Sequence, residues 1–260
     1  MGSLSDYVED AVLDHVLKTT SWTQPAALWV GLSTADPLDD GSGNAEPGSG
    51  AYARVSHDTW DTASARATEN TGTITFPEAT GSWGLVTHFT IWNASTAGDL
   101  IAHGTLSASK TIGNGDNASF QDGAIDVTFN TGGISTDLSN KLLDHIFGNT
   151  TYTVPTNIYI GLSIANPTDD GSGNNEHIGD NYSRVNHNVY DASSGGATEN
   201  DGAVTFPQAS ASWGTVTYFA MWDNSSAGNM MFYGILDSSR AVGTNDTPSF
   251  ADGALDITMD

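Results

Sequence analysis

Polar and apolar positions along this chain follow a helical spacing first and a spacing of two afterwards, and the same order is then repeated. Near the start, Val8, Val12, Val16 and Leu17 fall on one face of a helix that Ser5 can cap ahead of Asp6. The later copy places Leu138, Leu142, Leu143, Ile146 and Phe147 on one face, with Thr136 as the expected cap before Asp137 and Gly148 able to end the helix. Such a stripe has to be covered, either by the module's own sheet or by a neighbouring subunit.

After each helix the period drops to two. Ala27 to Leu32, and its copy Asn157 to Leu162, read as a buried strand that runs into an acidic, glycine-rich loop from Asp36 to about Gly50. Further strands are expected over Tyr52 to Val55, Thr73 to Phe76, Val86 to Trp92, Leu100 to Leu106 and Ala124 to Phe129. Short strands separated by Gly, Asn, Asp and Pro predict a mainly β chain of antiparallel sandwich or squashed-barrel modules, each with a short N-terminal helix.

The repetition itself is exact in spacing. Residues 14–129 recur as 144–259 without insertion or deletion, with conservative pairs such as Trp22/Tyr152, Leu28/Ile158 and Lys110/Arg240. A period of this length exceeds that of solenoid repeats, so the chain divides into two complete modules, 1–130 and 131–260. The linker Asn130-Thr131-Gly132-Gly133 is short. Duplicating a whole module favours a surface that binds or tiles over a catalytic centre, because doubling a binding surface adds avidity.

Charge narrows the partners. Thirty-one acids face seven bases, a formal net charge of -24. Self-repulsion of that size acts over a Debye length of about 10 Å in dilute buffer but only about 3 Å near 1 M salt, which points to a saline setting. Seven scattered bases do not make a phosphate-binding face, so nucleic acid is not expected as a partner. Without cysteine there is neither a disulfide framework nor a thiolate metal site. No apolar run has the length of a membrane helix, and the polar Gly2-Ser3-Leu4-Ser5-Asp6 after Met1 does not read as a signal peptide.

Three features kept in both copies are the candidates for chemistry. The first is the loop that carries Asp36, Asp39, Asp40, Asn44 and Glu46, matched by Asp169, Asp170, Asn174 and Glu176. Hard oxygens on a flexible glycine loop suit Ca²⁺, which takes roughly six to eight oxygen ligands, although the spacing is not that of an EF-hand; the competing reading is a solvated acidic turn with no cofactor. The second is Arg54 and Arg184, each expected to form a bidentate pair with Glu69/Glu199 or Asp61/Asp191, or else to build a sugar or carboxylate site with His57 and Trp60. The third is the aromatic set, in which Trp83 and Trp213, each in a Ser-Trp-Gly turn, are the candidates for an exposed glycan-stacking face. In the first copy, His88 and His103 are expected nearly opposite each other across a hairpin, as a cross-strand pair or a two-histidine metal site; Tyr218 and Tyr233 replace them in the second. No nucleophile elbow, zinc-protease, phosphate-loop or dinucleotide motif is present, and nothing selects a pair of carboxylates for glycoside hydrolysis, so no catalytic residue is expected.

Several runs together resemble a module of tailed-phage genomes, labelled tail fibre or virion structural protein. They are Trp22-Thr23-x-Pro25, Leu28 to Pro37, Asp39 to Gly43, Tyr52-x-Arg54, Phe76-Pro77, Ser82-Trp83-Gly84 and Gly98 to Gly104, echoed by Tyr152 to Asn174, Tyr182-x-Arg184, Phe206-Pro207 and Ser212-Trp213-Gly214. The resemblance implies a non-enzymatic virion protein assembled in the host cytoplasm, exposed on the particle, a homo-oligomer in contact with major capsid or tail proteins. The chain has no heptads or stalk repeat. Capsid decoration is therefore the first expectation, and a tail fibre or a receptor- or glycan-binding protein the alternative.

Overall fold

The computed structural model describes residues 2–129 and 133–259. Apart from Gly133, the expected linker lies outside the described residues. The elements run β1 (Gly2–Leu4), α1 (Asp6–Val16), β2 (Trp29–Ser33), β3 (Val55–Ser56), β4 (Ala67–Glu69), β5 (Ile74–Thr75), β6 (Gly84–Trp92), β7 (Leu100–Ile112), β8 (Ser119–Phe120) and β9 (Asp126–Thr128). The second repeat gives α2 (Thr136–Ile146), β10 (Tyr159–Ser163), β11 (Val185–Asn186), β12 (Ala197–Glu199), β13 (Val204–Thr205), β14 (Gly214–Trp222), β15 (Met230–Val242), β16 (Ser249–Phe250) and β17 (Asp256–Thr258). The architecture is mainly β, in two tandem domains each preceded by a short helix.

Helix starts follow the sequence with one correction. Ser5 caps α1, its Oγ accepting from Val8 N at 3.4 Å. In α2 the cap is Ser135 rather than Thr136, its Oγ accepting from Leu138 N at 3.1 Å. Thr136 is the first helical residue, because the +130 offset that aligns the repeats puts Ser135, not Thr136, in the place of Ser5. Gly148 ends its helix with φ +81°, a left-handed conformation that Lys18 has to adopt at φ +70° in the first repeat.

By contact, the chain forms two compact units that are not contiguous in sequence. Unit 1 comprises residues 1–10, 23–130 and 140–152, and unit 2 comprises 11–22, 131–139 and 153–260. Most of each body therefore comes from one repeat and a helical segment from the other. In unit 1, Asp144 Oδ1 accepts from Ala63 N at 2.8 Å, Asn140 Oδ1 accepts from Arg66 N at 2.8 Å, and the Phe147 ring lies 4.6 Å from that of Trp60. In unit 2, Asp14 Oδ1 accepts from Ser193 N at 2.8 Å and from Ser193 Oγ at 2.9 Å, while Lys18 Nζ donates to Thr156 O. The apolar stripe is thus covered, but by more than its own repeat's sheet: Val12, Leu13 and Val16 belong to unit 2, and Leu142, Leu143 and Ile146 to unit 1.

Unit 1 holds a seven-stranded sheet in the order β3-β2-β6-β7-β1-β9-β4, with β5 and β8 paired separately. Pairing is antiparallel except at Gly2↔Val127, where β1 runs parallel to β9. This short strand joins β7 to β9 and makes the sheet continuous. Unit 2 has the sheet β11-β10-β14-β15 and the separate pairs β12–β17 and β13–β16. At the place of β1 it has a single bridge, Ile134↔Phe232. Phe76, Phe89 and Phe120 meet edge to face in unit 1, and Phe206, Phe219 and Phe250 repeat the arrangement in unit 2.

Candidate functional site

Strand β2 delivers the chain into the acidic loop, and Ser33 at its end closes the loop's neck. The Ser33 hydroxyl donates to Ala35 O at 2.8 Å and accepts from Ala45 N at 3.0 Å, while Thr34 N donates to Ala45 O at 3.0 Å. Ser163, Ala165, Asn175 and Ile164 repeat these bonds. At the tip, Asp36 Oδ1 accepts from Leu38 N at 3.1 Å and Asp40 Oδ1 accepts from Ser42 N at 2.9 Å. These are the local turns for which aspartate is suited. Hydrogen bonds from the hydroxyl and amide of Ser42 hold the Asp40 carboxyl below the usual range. Asp170 is lowered to about 2 by the same bonds from Ser172, reinforced by the Thr168 hydroxyl at 2.7 Å.

Glu46 turns away from this tip. Its Oε1 accepts from Arg54 Nε at 2.9 Å and from the Tyr52 hydroxyl at 2.7 Å, and its Oε2 accepts from Arg54 Nη2 at 2.9 Å. Arg54 Nη1 donates to Ala94 O at 2.9 Å and Ala97 O at 2.7 Å, and its guanidinium lies 4.0 Å over the Trp92 ring. Glu176, Tyr182, Arg184, Asn224 O, Ala227 O and Trp222 reproduce the constellation. One planar cation thus ties the acidic loop to the loop of the β6–β7 hairpin, using the fork geometry for which arginine is suited. Burial pushes the Tyr52 and Tyr182 phenols far above the ordinary tyrosine range.

The arrangement depends on a bare backbone at Gly31 and Gly161. A Cβ on Gly31 would come within 2.9 Å of Glu46 Oε1 and 2.7 Å of Thr90 Oγ1, and one on Gly161 would come within 2.1 Å of Glu176 Oε1. Gly31 lies between Val30 and Leu32 in an otherwise apolar strand, where a glycine marks the close approach of another group.

The bidentate role of the arginine is legible in the sequence, but its partner is not. Glu69, Asp61 and their copies are not what Arg54 and Arg184 bind; Glu46 and Glu176, taken from the sequence as calcium ligands, fill that role. The readable signal is that Tyr52 and Arg54 are two apart in the stretch just before β3, and both reach the same carboxylate. Of the remaining loop candidates, Asp36, Asp39 and Asp40 line one open hollow with Asp6, Leu38 and His103. Among the described residues no group of three or more His, Asp or Glu side chains is placed to hold a metal ion. Asn44 and Asn174 are half-buried, Asn174 Nδ2 donating to Glu176 Oε2 at 3.2 Å, and at the second tip Asp170 Oδ1 accepts from Ser172 N at 3.0 Å.

The aromatic candidates lie elsewhere than expected. Trp83 is 3% exposed and Trp213 2%, each donating its indole N–H to a backbone carbonyl, Gly50 O at 2.8 Å and Asp180 O at 3.0 Å. They stack edge-on against Tyr52 and Tyr182, so these rings offer no face to a sugar. Their turn folds inward because the indole has a carbonyl to satisfy beneath the second half of the acidic loop. Trp60 is also buried and donates to His57 O at 3.1 Å, so Arg54, His57 and Trp60 do not converge on a common ligand. Burial lowers the His57 pKa from its ordinary value.

His88 and His103 are diagonal rather than opposite, since the register sets His88 against Thr105 and His103 against Thr90. The register shift between Ile91 and Trp92 lies between the hairpin loop and both histidines and feeds into this pairing. Each imidazole faces a loop carboxylate instead, His103 Nε2 at 2.8 Å from Asp39 and His88 Nε2 at 4.0 Å from Asp36. Tyr233 takes the place of His103, its hydroxyl 3.4 Å from Asp169.

Within each unit the acidic loop and the β6–β7 or β14–β15 hairpin loop are thus tied together by the same arginine. No helix among the described residues is long and apolar enough to cross a membrane. No curated protein matches the chain. A family model described as podophage GP4 fiber I protein gp80 matches residues 3–128 and again residues 133–258. Those two matches keep the +130 offset and extend it back through the helices to Ser3 and Gly133, and the chain therefore belongs to the Gp80 family, as a virion structural fibre protein of a tailed virus.

Proposed function

We propose that this chain is a tail-fibre component that presents its pinned loops to the host surface. The observation that carries the proposal is the match of both repeats, over nearly their full length, to a fibre family. It favours the fibre over capsid decoration, the first expectation from the sequence. The loops supply the means. Residues 34–46 and 93–99, with their copies, are held by a buried cation, while the tips stay open to solvent. Leu38 is exposed at the first tip, and Ile178, 92% exposed, stands two residues beyond Glu176, just outside the segment that the second arginine holds. An apolar side chain on a rigid, acidic rim suits contact with a partner surface.

In this reading the protein sits on the particle, is assembled in the host cytoplasm, and contacts tail proteins and further copies of itself. The edge-to-face phenylalanines that join β8 to β6 support a sandwich or squashed barrel in each unit. The excess of acids supports a saline habitat.

Cryo-electron microscopy of virions labelled with antibody against the purified protein tests the placement. Label at the tail is the expected result, and label confined to the head overturns the fibre reading. Competition of the purified protein with virus adsorption tests the host contact. Wild type is expected to slow adsorption and Ile178→Asp to lose that effect; no competition by wild type overturns the contact.

A further inference from the structure

Under the +130 offset, the bonds between helical segment and body are the same pair with roles reversed. Asp14 binds Ser193 in unit 2, Asp144 binds Ala63 in unit 1, and the four residues are two equivalents of one contact. Each segment, 11–22 or 140–152, lies in the compact unit whose body comes from the other repeat. We propose that the chain is a covalently fused exchange dimer, in which each body carries a recognition surface for the helical segment of a second copy of the repeat, and in which the two repeats stay paired without the linker.

Three observations support this. First, the exchange is reciprocal, as in an isologous dimer, in which residue i meets j and j meets i. A head-to-tail contact would leave one segment unused. Second, the receiving surface is specific in its polar groups. Asp144 accepts a backbone N–H from the turn at Ala63, Asn140 accepts one from Arg66, and Asn149 Nδ2 donates to Asp61 O at 2.9 Å. A body deprived of the segment would leave the Ala63 and Arg66 donors without these acceptors, in a stretch where Ala63 and Arg66 are themselves buried. Third, the segment is apolar where it enters. Phe147 is buried and lies 4.6 Å from buried Trp60, and its counterpart Leu17 is buried in unit 2, which contains Tyr190, the counterpart of Trp60. Both helical segments find covered positions, so the exchange closes within one chain and offers no free segment to a third repeat.

The test uses the full-length protein. A protease recognition sequence is inserted between residues 130 and 133, the protein is folded and then cut, and its mass is read by light scattering after gel filtration in multimolar salt. The expected result is one species holding both fragments at the mass of the uncut protein. Two separate folded species of half that mass overturn the proposal.

Hydrogen exchange on the uncut chain covers the case in which cutting unfolds the protein. Asp144→Ala is expected to speed exchange at Ala63, in the other repeat, roughly five- to tenfold and to leave Ser193 unchanged, with Asp14→Ala giving the reverse pattern. Acceleration confined to the body of the substituted residue's own repeat overturns the proposal.

Discussion

Replacing Glu46 by glutamine isolates the value of the cation that holds the two loops together. The substitution keeps the shape but puts an amide donor where one carboxylate oxygen faced the Arg54 fork, whose two contacts are both 2.9 Å. The Arg54 side chain is 5% exposed and that of Glu46 24%. Breaking a fully buried pair costs about 3–5 kcal/mol, and an exposed pair is worth about 0–1 kcal/mol. Water can reach the glutamate side, so the expected loss lies below the buried range, at about 2–3 kcal/mol. Unfolding entropy is about 2.1 cal/mol/K per residue, so a unit of about 130 residues loses about 7–11 °C in Tm if it melts alone, and about half that if both units melt as one. Differential scanning calorimetry of wild type, Glu46→Gln, Glu46→Leu, Arg54→Met and the double variant Glu46→Leu/Arg54→Met reads this directly. The double variant should cost less than the sum of Glu46→Leu and Arg54→Met, because no charge is left stranded, while Ala94 O and Ala97 O lose their donor in both Arg54 variants. A shift below about 1 °C for Glu46→Gln, or a double variant as damaged as the sum of its parts, would refute the account of a buried, charge-dependent clamp.

Trp83→Ala removes a core ring and should cost about 3–5 kcal/mol in urea unfolding, whereas a ligand-facing ring could be removed with little loss. Raising NaCl from about 0.1 M to about 1 M shortens the Debye length from about 10 Å to about 3 Å, and the melting temperature should climb; a flat or falling curve would count against self-repulsion as the governing term. The Asp170 carboxyl, lowered to about 2 from 3.8 by its hydrogen bonds, favours the folded state above pH 4 and loses that contribution as pH falls through its folded value. An NMR titration should find its midpoint near 2 in wild type and higher in Thr168→Val, and equal midpoints in the two proteins would remove the hydroxyl as a cause.

What the sequence determined by itself is local and periodic. Val8, Val12 and Val16 and their copies marked both helices, the spacing of two marked β2, β6 and the first half of β7, and the constant offset showed that a whole domain was repeated. These features were legible because a helix or strand writes its buried face into consecutive residues. The short strands β1, β4 and β8 were missed because two or three residues carry no period. Periodicity says that a face is covered but not by what. Only the tertiary structure decided that the ends of α1 and α2 are covered by the opposite repeat, that Arg54 takes Glu46 in a chain offering 31 acids, and that Trp83 turns inward to Gly50 O. It decided the diagonal offset of His88 and His103 as well, through the register of β6 on β7. Each of these choices is made between groups far apart in sequence, and it is settled by which carboxylate, carbonyl or apolar surface the folded chain brings within about 3–4 Å. That distance is a property of the whole packed molecule and of no segment within it.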